Sequence, residues 1–209
     1  MELYDCQMAP NPRRARIFIA EKKLDIPKRE ISIMEGENLE KDYLKINPWG
    51  FLPSLVLDDG TVITEVPCIF QYLESIRPEP NLLGSSVLES TKILAWERFS
   101  EINGMQAIGE FFRNQAEPMA NRAMPGFSGI AQIPELIERG QKRAAWYYEQ
   151  LDKQLNQSKF VGTDRFTAAD ITALCVIDFG KAVGVPYPKN CDNITRWSNE
   201  VSGRPATQV

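Results

Sequence analysis

The stretch from Asn47 to Glu74 reads NPWGFLPSLVLDDGTVITEVPCIFQYLE, and its signals come in the order of a hairpin handing over to a helix. Leu52-Pro53 ends a loop and leads into an apolar strand, Ser54 to Leu57. An Asp-Asp-Gly turn at Asp58 to Gly60 sends the chain back as a second strand, Thr61 to Thr64, because Asp-Gly supplies the left-handed backbone that a tight hairpin needs. Glu65 then stands at the mouth of a helix with Pro67 just inside it, where a missing N–H is harmless because first-turn donors have no intrahelical partner. Leu52, Glu65 and this helix mouth are therefore placed to face one small polar ligand.

Upstream, Glu2 to Cys6 reads as a short strand. Pro12 to Lys23 reads as a helix with Ile17, Phe18 and Ala20 toward a sheet, and Asn11 before Pro12 is a helix-start signal. Lys28 to Ile33 alternates like a strand, and Leu39 to Ile46 looks like a short helix. The order is β-α-β-α-β-β-α, ending near Arg77. Pro78-Glu79-Pro80-Asn81 then breaks the pattern, and Leu82 to Ser86 reads as a linker.

Beyond the linker the pattern is helical. Val87 to about Arg113 carries Leu88, Ile93, Leu94, Trp96, Phe99, Ile102 and Met105 at three- and four-residue spacing. Pro118 to Ile130 is loop-like. A second long helix is predicted over Ile133 to Asn156, with Trp146, Tyr147, Leu151 and Leu155 as its buried face. A last helix is expected over Asn193 to Gly203. This divides the chain into residues 1–78 and 87–209, joined by 79–86.

Phe166-Thr167-Ala168-Ala169-Asp170-Ile171 has the spacing of a helix cap. The Asp170 carboxylate reaches back to the Thr167 N–H, and Phe166 and Ile171 form the staple that fixes the chain's approach. The helix it starts runs to about Val183 and is apolar on most faces, which suits the centre of a helical unit. Asp170 is thus read as structural rather than catalytic.

Composition excludes several classes of function. Among 209 residues, 24 Lys and Arg stand against 28 Asp and Glu, a net charge of −4, with no basic run to track a phosphate backbone, so nucleic acid is not an expected partner. There is no histidine, which removes the commonest general base, the Ser-His and Cys-His nucleophile pairs and the usual zinc ligand sets. Cys6, Cys68, Cys175 and Cys191 contain no C-x-x-C pair and are expected to be reduced and structural, with no metal site. No segment approaches the roughly 18 apolar residues needed to cross a bilayer, and the expected location is cytoplasmic.

The Asn-Pro-x-Gly-x-Leu-Pro run at 47–53, the Asp-Gly hairpin and the acidic residue opening a helix together resemble the glutathione-binding half of the cytosolic glutathione transferases. The FTAADI segment at 166–171 fits the same superfamily. The resemblance implies an α/β thioredoxin-like N-terminal domain followed by an all-α C-terminal domain. It also implies glutathione as co-substrate, a small hydrophobic electrophile as second partner, and a homodimer. Trp49 or Phe51 is either an exposed anchor for that dimer or a pocket-rim or core residue. On this resemblance Leu52 pairs its backbone with the cysteinyl portion of glutathione, Pro53 is cis, and Glu65 accepts from the α-amine. Val66 replaces the family's usual serine, leaving the backbone N–H groups of Val66 and Cys68 for the γ-glutamyl carboxylate, and Asn38 falls near the glycyl end, with an ordinary solvated loop position as its other reading.

The sulfur-facing position departs further. Several branches carry Ser, Thr or Cys where this chain has Ala9. Asn11, two residues on, resembles the asparagine that contacts the thiol in the bacterial theta-like and nu-like branch; its other reading is the cap of the first helix. Tyr4 and Cys6 are minor alternatives at the sulfur. Met8, Met105, Phe112 and Met119 are candidates for the electrophile pocket, with plain core positions as the alternative. Three functions follow: conjugation to an electrophile, glutathione-dependent disulfide or peroxide reduction of the nu type, and a binding module without turnover.

Overall fold

The computed structural model describes residues 1–209. Its first half holds β1 (Glu2–Asp5), α1 (Pro10–Glu21), β2 (Lys28–Glu30), α2 (Lys41–Leu44), β3 (Ser54–Val56), β4 (Val62–Thr64) and α3 (Val66–Ile76). The four strands lie in the order β2-β1-β3-β4. β1 runs parallel to β2 and antiparallel to β3, and β3 pairs antiparallel with β4 through the registers Ser54 to Thr64 and Val56 to Val62. The hairpin closes where Leu57 N–H donates to the Thr61 carbonyl at 2.8 Å, with Gly60 at φ +86°. Leu3, Ile17, Phe18, Leu55, Ile69 and Phe70 are all completely buried, and Phe18 stacks on Phe70 at 4.3 Å between ring centroids.

The second half is helical: α4 (Val87–Ser100), α5 (Gln106–Gln115), α6 (Glu135–Gln157), α7 (Ala168–Ala182) and α8 (Asp192–Ser202). The predicted long helix 87–113 exists, but a single π-helical turn, Glu101–Met105, joins α4 to α5. A side chain at Gly104 would lie 2.6 Å from Val176 and 2.9 Å from Tyr147, so its absence lets this turn press directly on α6 and α7. No helix is long and apolar enough to cross a membrane.

One apolar core runs through both halves, from Leu3 and Phe18 to Ile171 and Trp197. Polar bonds reinforce the junction. Ala168 N–H donates to the Leu82 carbonyl, Arg13 pairs with Asp178 and Arg204 pairs with Glu21.

Several predicted details are corrected. α1 begins at Pro10, so Ala9 takes the cap position and Asn11 lies inside the first turn without capping it. β2 stops at Glu30 rather than Ile33; its residues are all exposed, as on an edge strand, and the chain turns where Ser32 N–H meets Glu37 Oε2. Trp146, predicted on the buried face of its helix, is exposed, as are Leu88, Leu94 and Ile102 among the apolar residues at helical spacing. Tyr148 takes the buried place expected of Trp146 on α6. Cys68 is exposed, whereas Cys6, Cys175 and Cys191 are buried.

Candidate active site

A cavity of about 490 Å³ opens between the two halves. One wall is the loop after β1, the mouths of α1 and α3, and the 50–53 loop. The opposite wall is the π turn, α5 and the end of α7. Ala9, Asn11, Asn38, Leu52, Pro53, Glu65 and Val66 all line it, as do Met8, Met105, Phe112 and Met119. Tyr4 does not: its ring packs on Tyr43 and beneath Arg29. Cys6 lies at the cavity floor, 4% exposed, in a small apolar cluster with Tyr4, Ile31, Tyr43 and Leu52.

The mouth of α1 is unusual because its first residues read Pro10-Asn11-Pro12. Helix N-termini ordinarily present several free N–H groups, but two of the first three residues here have none. Arg13 N–H is occupied by the Ala9 carbonyl at 3.2 Å, and Ala9 N–H by the Cys6 carbonyl at 3.0 Å. The free backbone donor of this turn is therefore the N–H of Asn11.

The Asn11 side chain is held in one orientation. Arg14, wholly buried, donates from Nη1 to Asn11 Oδ1 at 2.9 Å, from Nη2 to Glu97 Oε1 at 3.0 Å and from Nε to Thr172 Oγ1 at 3.1 Å. Burial pushes the Glu97 carboxyl up, against the pull of Arg14. Because a guanidinium only donates, the Asn11 oxygen must face it, and Nδ2 is left without a partner in the protein. Two unpaired donors of one residue thus stand at a helix N-terminus in a cavity wall.

The loop before the hairpin is held by its own buried polar residues. Asn47, completely buried, donates from Nδ2 to the Phe51 carbonyl at 2.9 Å and accepts from Trp49 N–H at 3.1 Å. The Tyr43 hydroxyl, whose pKa burial pushes up to about 12, is shared between the Phe51 carbonyl and Ser54 Oγ. The result is that Leu52 keeps both its N–H and its C=O free of protein partners, and the Leu52-Pro53 peptide is cis.

Glu65 has φ +64° and ψ 125°, a left-handed backbone rarely tolerated outside glycine, and its carboxylate has no hydrogen bond or ion pair. Such strain costs on the order of 1–3 kcal/mol and concentrates at functional positions. Val66 N–H is likewise unpaired. Cys68 N–H, however, donates to the Glu65 carbonyl at 3.0 Å, so of the two donors named from the sequence only that of Val66 is open to a ligand. Asn38 is 5% exposed and gives Nδ2 to the Gly50 carbonyl at 2.7 Å, while its Oδ1 is buried without a partner. Nδ2 is thus spent on the 50–53 loop and Oδ1 is sealed from solvent. Ala9 contributes only a methyl to the wall.

The sequence reading missed Arg14 and Arg113. Arg113 lines the cavity from α5, and neither arginine belongs to a local motif that could have marked it.

These features define a thioredoxin-like domain whose ligand site is closed by a helical domain. Residues 9–76 match the glutathione S-transferase N-terminal domain and residues 106–205 the glutathione S-transferase C-terminal domain. The chain belongs to the glutathione S-transferase family. Within it, the chain is similar to glutathione S-transferase 2 of Saccharomyces cerevisiae, 27% identical across 100% of this chain and 88% of the yeast protein. The crystal structure of yeast Gtt2 superposes with a TM-score of 0.92, covering 100% of this chain and 99% of that one. A glutathione S-transferase domain-containing protein of Marinobacter aquaeolei is 30% identical with a TM-score of 0.91, covering 99% of this chain and 100% of the other. A Gtt2-class glutathione S-transferase of Vibrio parahaemolyticus is 31% identical with a TM-score of 0.82, covering 100% and 96%.

Proposed function

We propose that the protein is a glutathione transferase that activates the thiol of glutathione for attack on a hydrophobic electrophile, with Asn11 as the group that holds the sulfur. The supporting observation is the pair of unpaired Asn11 donors, N–H and Nδ2, at the mouth of α1. A free thiol with a pKa of about 8.5 is only a few per cent ionised at pH 7, and each unit of depression corresponds to about 1.4 kcal/mol. Hydrogen bonds to a charged group are worth about 1.5–3 kcal/mol each, so two donors and the positive end of a helix dipole suffice to shift the thiol by a unit or more. Without histidine, the proton leaves to solvent.

The remaining groups fix the tripeptide. Leu52 offers N–H and C=O to the cysteinyl backbone in the manner of an added strand. Glu65 receives the α-amine, and Val66 N–H, at the start of α3, receives the γ-glutamyl carboxylate as helix N-termini receive anions. Met8, Met105, Phe112 and Met119 supply the apolar surface for the electrophile. The domain division at 79–86 and a homodimer belong to the same reading. The dimer is supported by the exposed apolar residues Leu88, Leu94 and Trp146 of α4 and α6 and is tested by sedimentation.

Calorimetric titration with reduced glutathione, its disulfide and an S-alkyl derivative tests the assignment. Reduced glutathione and the S-alkyl form are expected to bind, and Glu65→Ala is expected to weaken both. Preference for the disulfide points instead to a reductase, and binding of none contradicts the glutathione assignment.

A further inference from the structure

The arginines of this protein that are not exposed divide unevenly. Arg13, Arg14, Arg16, Arg143, Arg165 and Arg204 each have a carboxylate oxygen within 3.9 Å. Arg113 and Arg122 have none, and they are neighbours: Arg113 Nη1 donates to the Arg122 carbonyl at 2.8 Å. Arg122 spends its guanidinium on three backbone carbonyls, those of Ile33, Met34 and Pro118, at 2.7, 2.6 and 3.0 Å. It straps the loop after α5 to the thioredoxin-like half while adding an uncompensated positive charge.

Arg113 differs in having donors to spare. Its Nη1 is used by the Arg122 carbonyl and, at 3.6 Å, by Met119 Sδ, while Nε and Nη2 have no acceptor. Neither atom is sealed from solvent. The same Nε and Nη2 edge of Arg204 grips Glu21 at 2.8 and 2.9 Å, the bidentate geometry a carboxylate prefers. Burial first, and then Arg122, pull the Arg113 pKa down, and no acidic group offsets them. The other charged lining residues do not neutralise it. Glu101 is already paired with Arg98 at 2.7 Å, and Glu65 is assigned above to an amine.

We infer that Arg113 is the receptor for an anionic group on the electrophile, so that the favoured co-substrates are apolar electrophiles bearing a carboxylate. This rests on the thiol-activating site proposed above and names the substrate class it takes. A chlorodinitrobenzoate illustrates the reaction. The glutathione sulfur bonds to the chlorine-bearing ring carbon, and chloride leaves with the electron pair of its bond. The carboxylate, remote from that carbon, remains on Arg113.

The test compares that acid with its methyl ester, which has the same ring and leaving group but no charge; because the ester activates the ring more strongly, each kcat/KM is divided by that compound's uncatalysed rate with glutathione thiolate before the two are compared. Native protein is expected to favour the acid about ten- to hundredfold in this normalised kcat/KM, the range of a charge-assisted bidentate pair. Arg113→Gln is expected to bring the ratio close to one, and Arg113→Lys to keep only part of it because the fork is lost. Equal normalised kcat/KM for acid and ester in native protein would overturn the inference. So would an Arg113→Gln variant that keeps the native ratio while raising KM for glutathione, since Arg113 would then serve glutathione's own carboxylate.

A binding arm needs no turnover. An unreactive dinitrobenzoate and its methyl ester are titrated into native and Arg113→Gln protein, with and without S-methylglutathione. Preference for the acid, lost in the variant, supports the inference even if glutathione fails to bind and the thiol-activating reading falls. No preference overturns it even if glutathione binds as proposed.

Discussion

Glu65 and Asp170 are both acidic residues at the start of a helix, where the dipole favours negative charge, yet they have opposite surroundings. Asp170 is completely buried and accepts from Thr167 N–H and Thr167 Oγ1 through one oxygen, and from Val161 N–H and Trp197 Nε1 through the other. Glu65 is exposed on the cavity rim with no partner at all, on a backbone that strains it. One carboxylate spends its hydrogen-bonding capacity on joining α7, α8 and the 161–167 loop. The other keeps its capacity unspent, and that is the difference between a residue serving the fold and one available to a ligand.

The largest effect should come from removing the buried acceptor. Asp170→Ala leaves buried donors of Thr167, Val161 and Trp197 unpaired, at about 1–3 kcal/mol each, and is expected to lower the unfolding free energy in urea by about 3–5 kcal/mol. Glu65→Ala should change it by less than about 0.5 kcal/mol, the usual range for surface positions. Comparable losses for the two variants would contradict this division of roles.

The pH dependence of stability separates the two residues further. Burial raises the Asp170 pKa from 3.8 to about 6, against the pull of its hydrogen bonds. The native state therefore holds the proton more tightly than the unfolded chain does. The stability this contributes is fully present below pH 3.8 and is lost as pH rises through about 6, a change of about 3 kcal/mol. The stability of native protein relative to Asp170→Asn, followed by urea unfolding across this window, should fall with rising pH and level off above it.

Ligand binding reverses the ranking. Glu65→Ala is expected to weaken reduced glutathione about tenfold or more by calorimetry, the worth of one charge-assisted hydrogen bond. The smallest expected effect is on the backbone. Glu65→Gly can adopt φ +64° freely, so it should be more stable than Glu65→Ala by about 1 kcal/mol while binding glutathione no better. Equal stability of the two variants would show that the strain is not released there.

The Asp170 cap was legible in the sequence because every part of it lies within Phe166 to Ile171, and the 54–64 hairpin because Asp59-Gly60 fixes it locally. The lining of the cavity by residues of the 47–66 stretch followed from the same locality. Other features depend on atoms far along the chain. The start of α1 was displaced because Asn-Pro signals a cap at Asn11, whereas Pro10 also suits the first helical position and took it. The orientation of Asn11 is set by Arg14, which is itself held by Glu97 and Thr172 from the other half. The exposure of Leu88, Leu94 and Trp146 could not be read from helical spacing, because spacing shows which residues share a face and not which face is covered. Arg113 stands out only through the absence of a carboxylate around it, a property of packing rather than of any motif.

Whether Asn11 holds the glutathione sulfur as thiolate is read by titrating the ultraviolet absorbance of thiolate in the complex with reduced glutathione, for native protein and for Asn11→Ala. In native protein the bound thiol pKa is expected about one unit or more below the free value of about 8.5, rising back toward it in the variant. A depressed pKa that Asn11→Ala leaves unchanged would contradict that role.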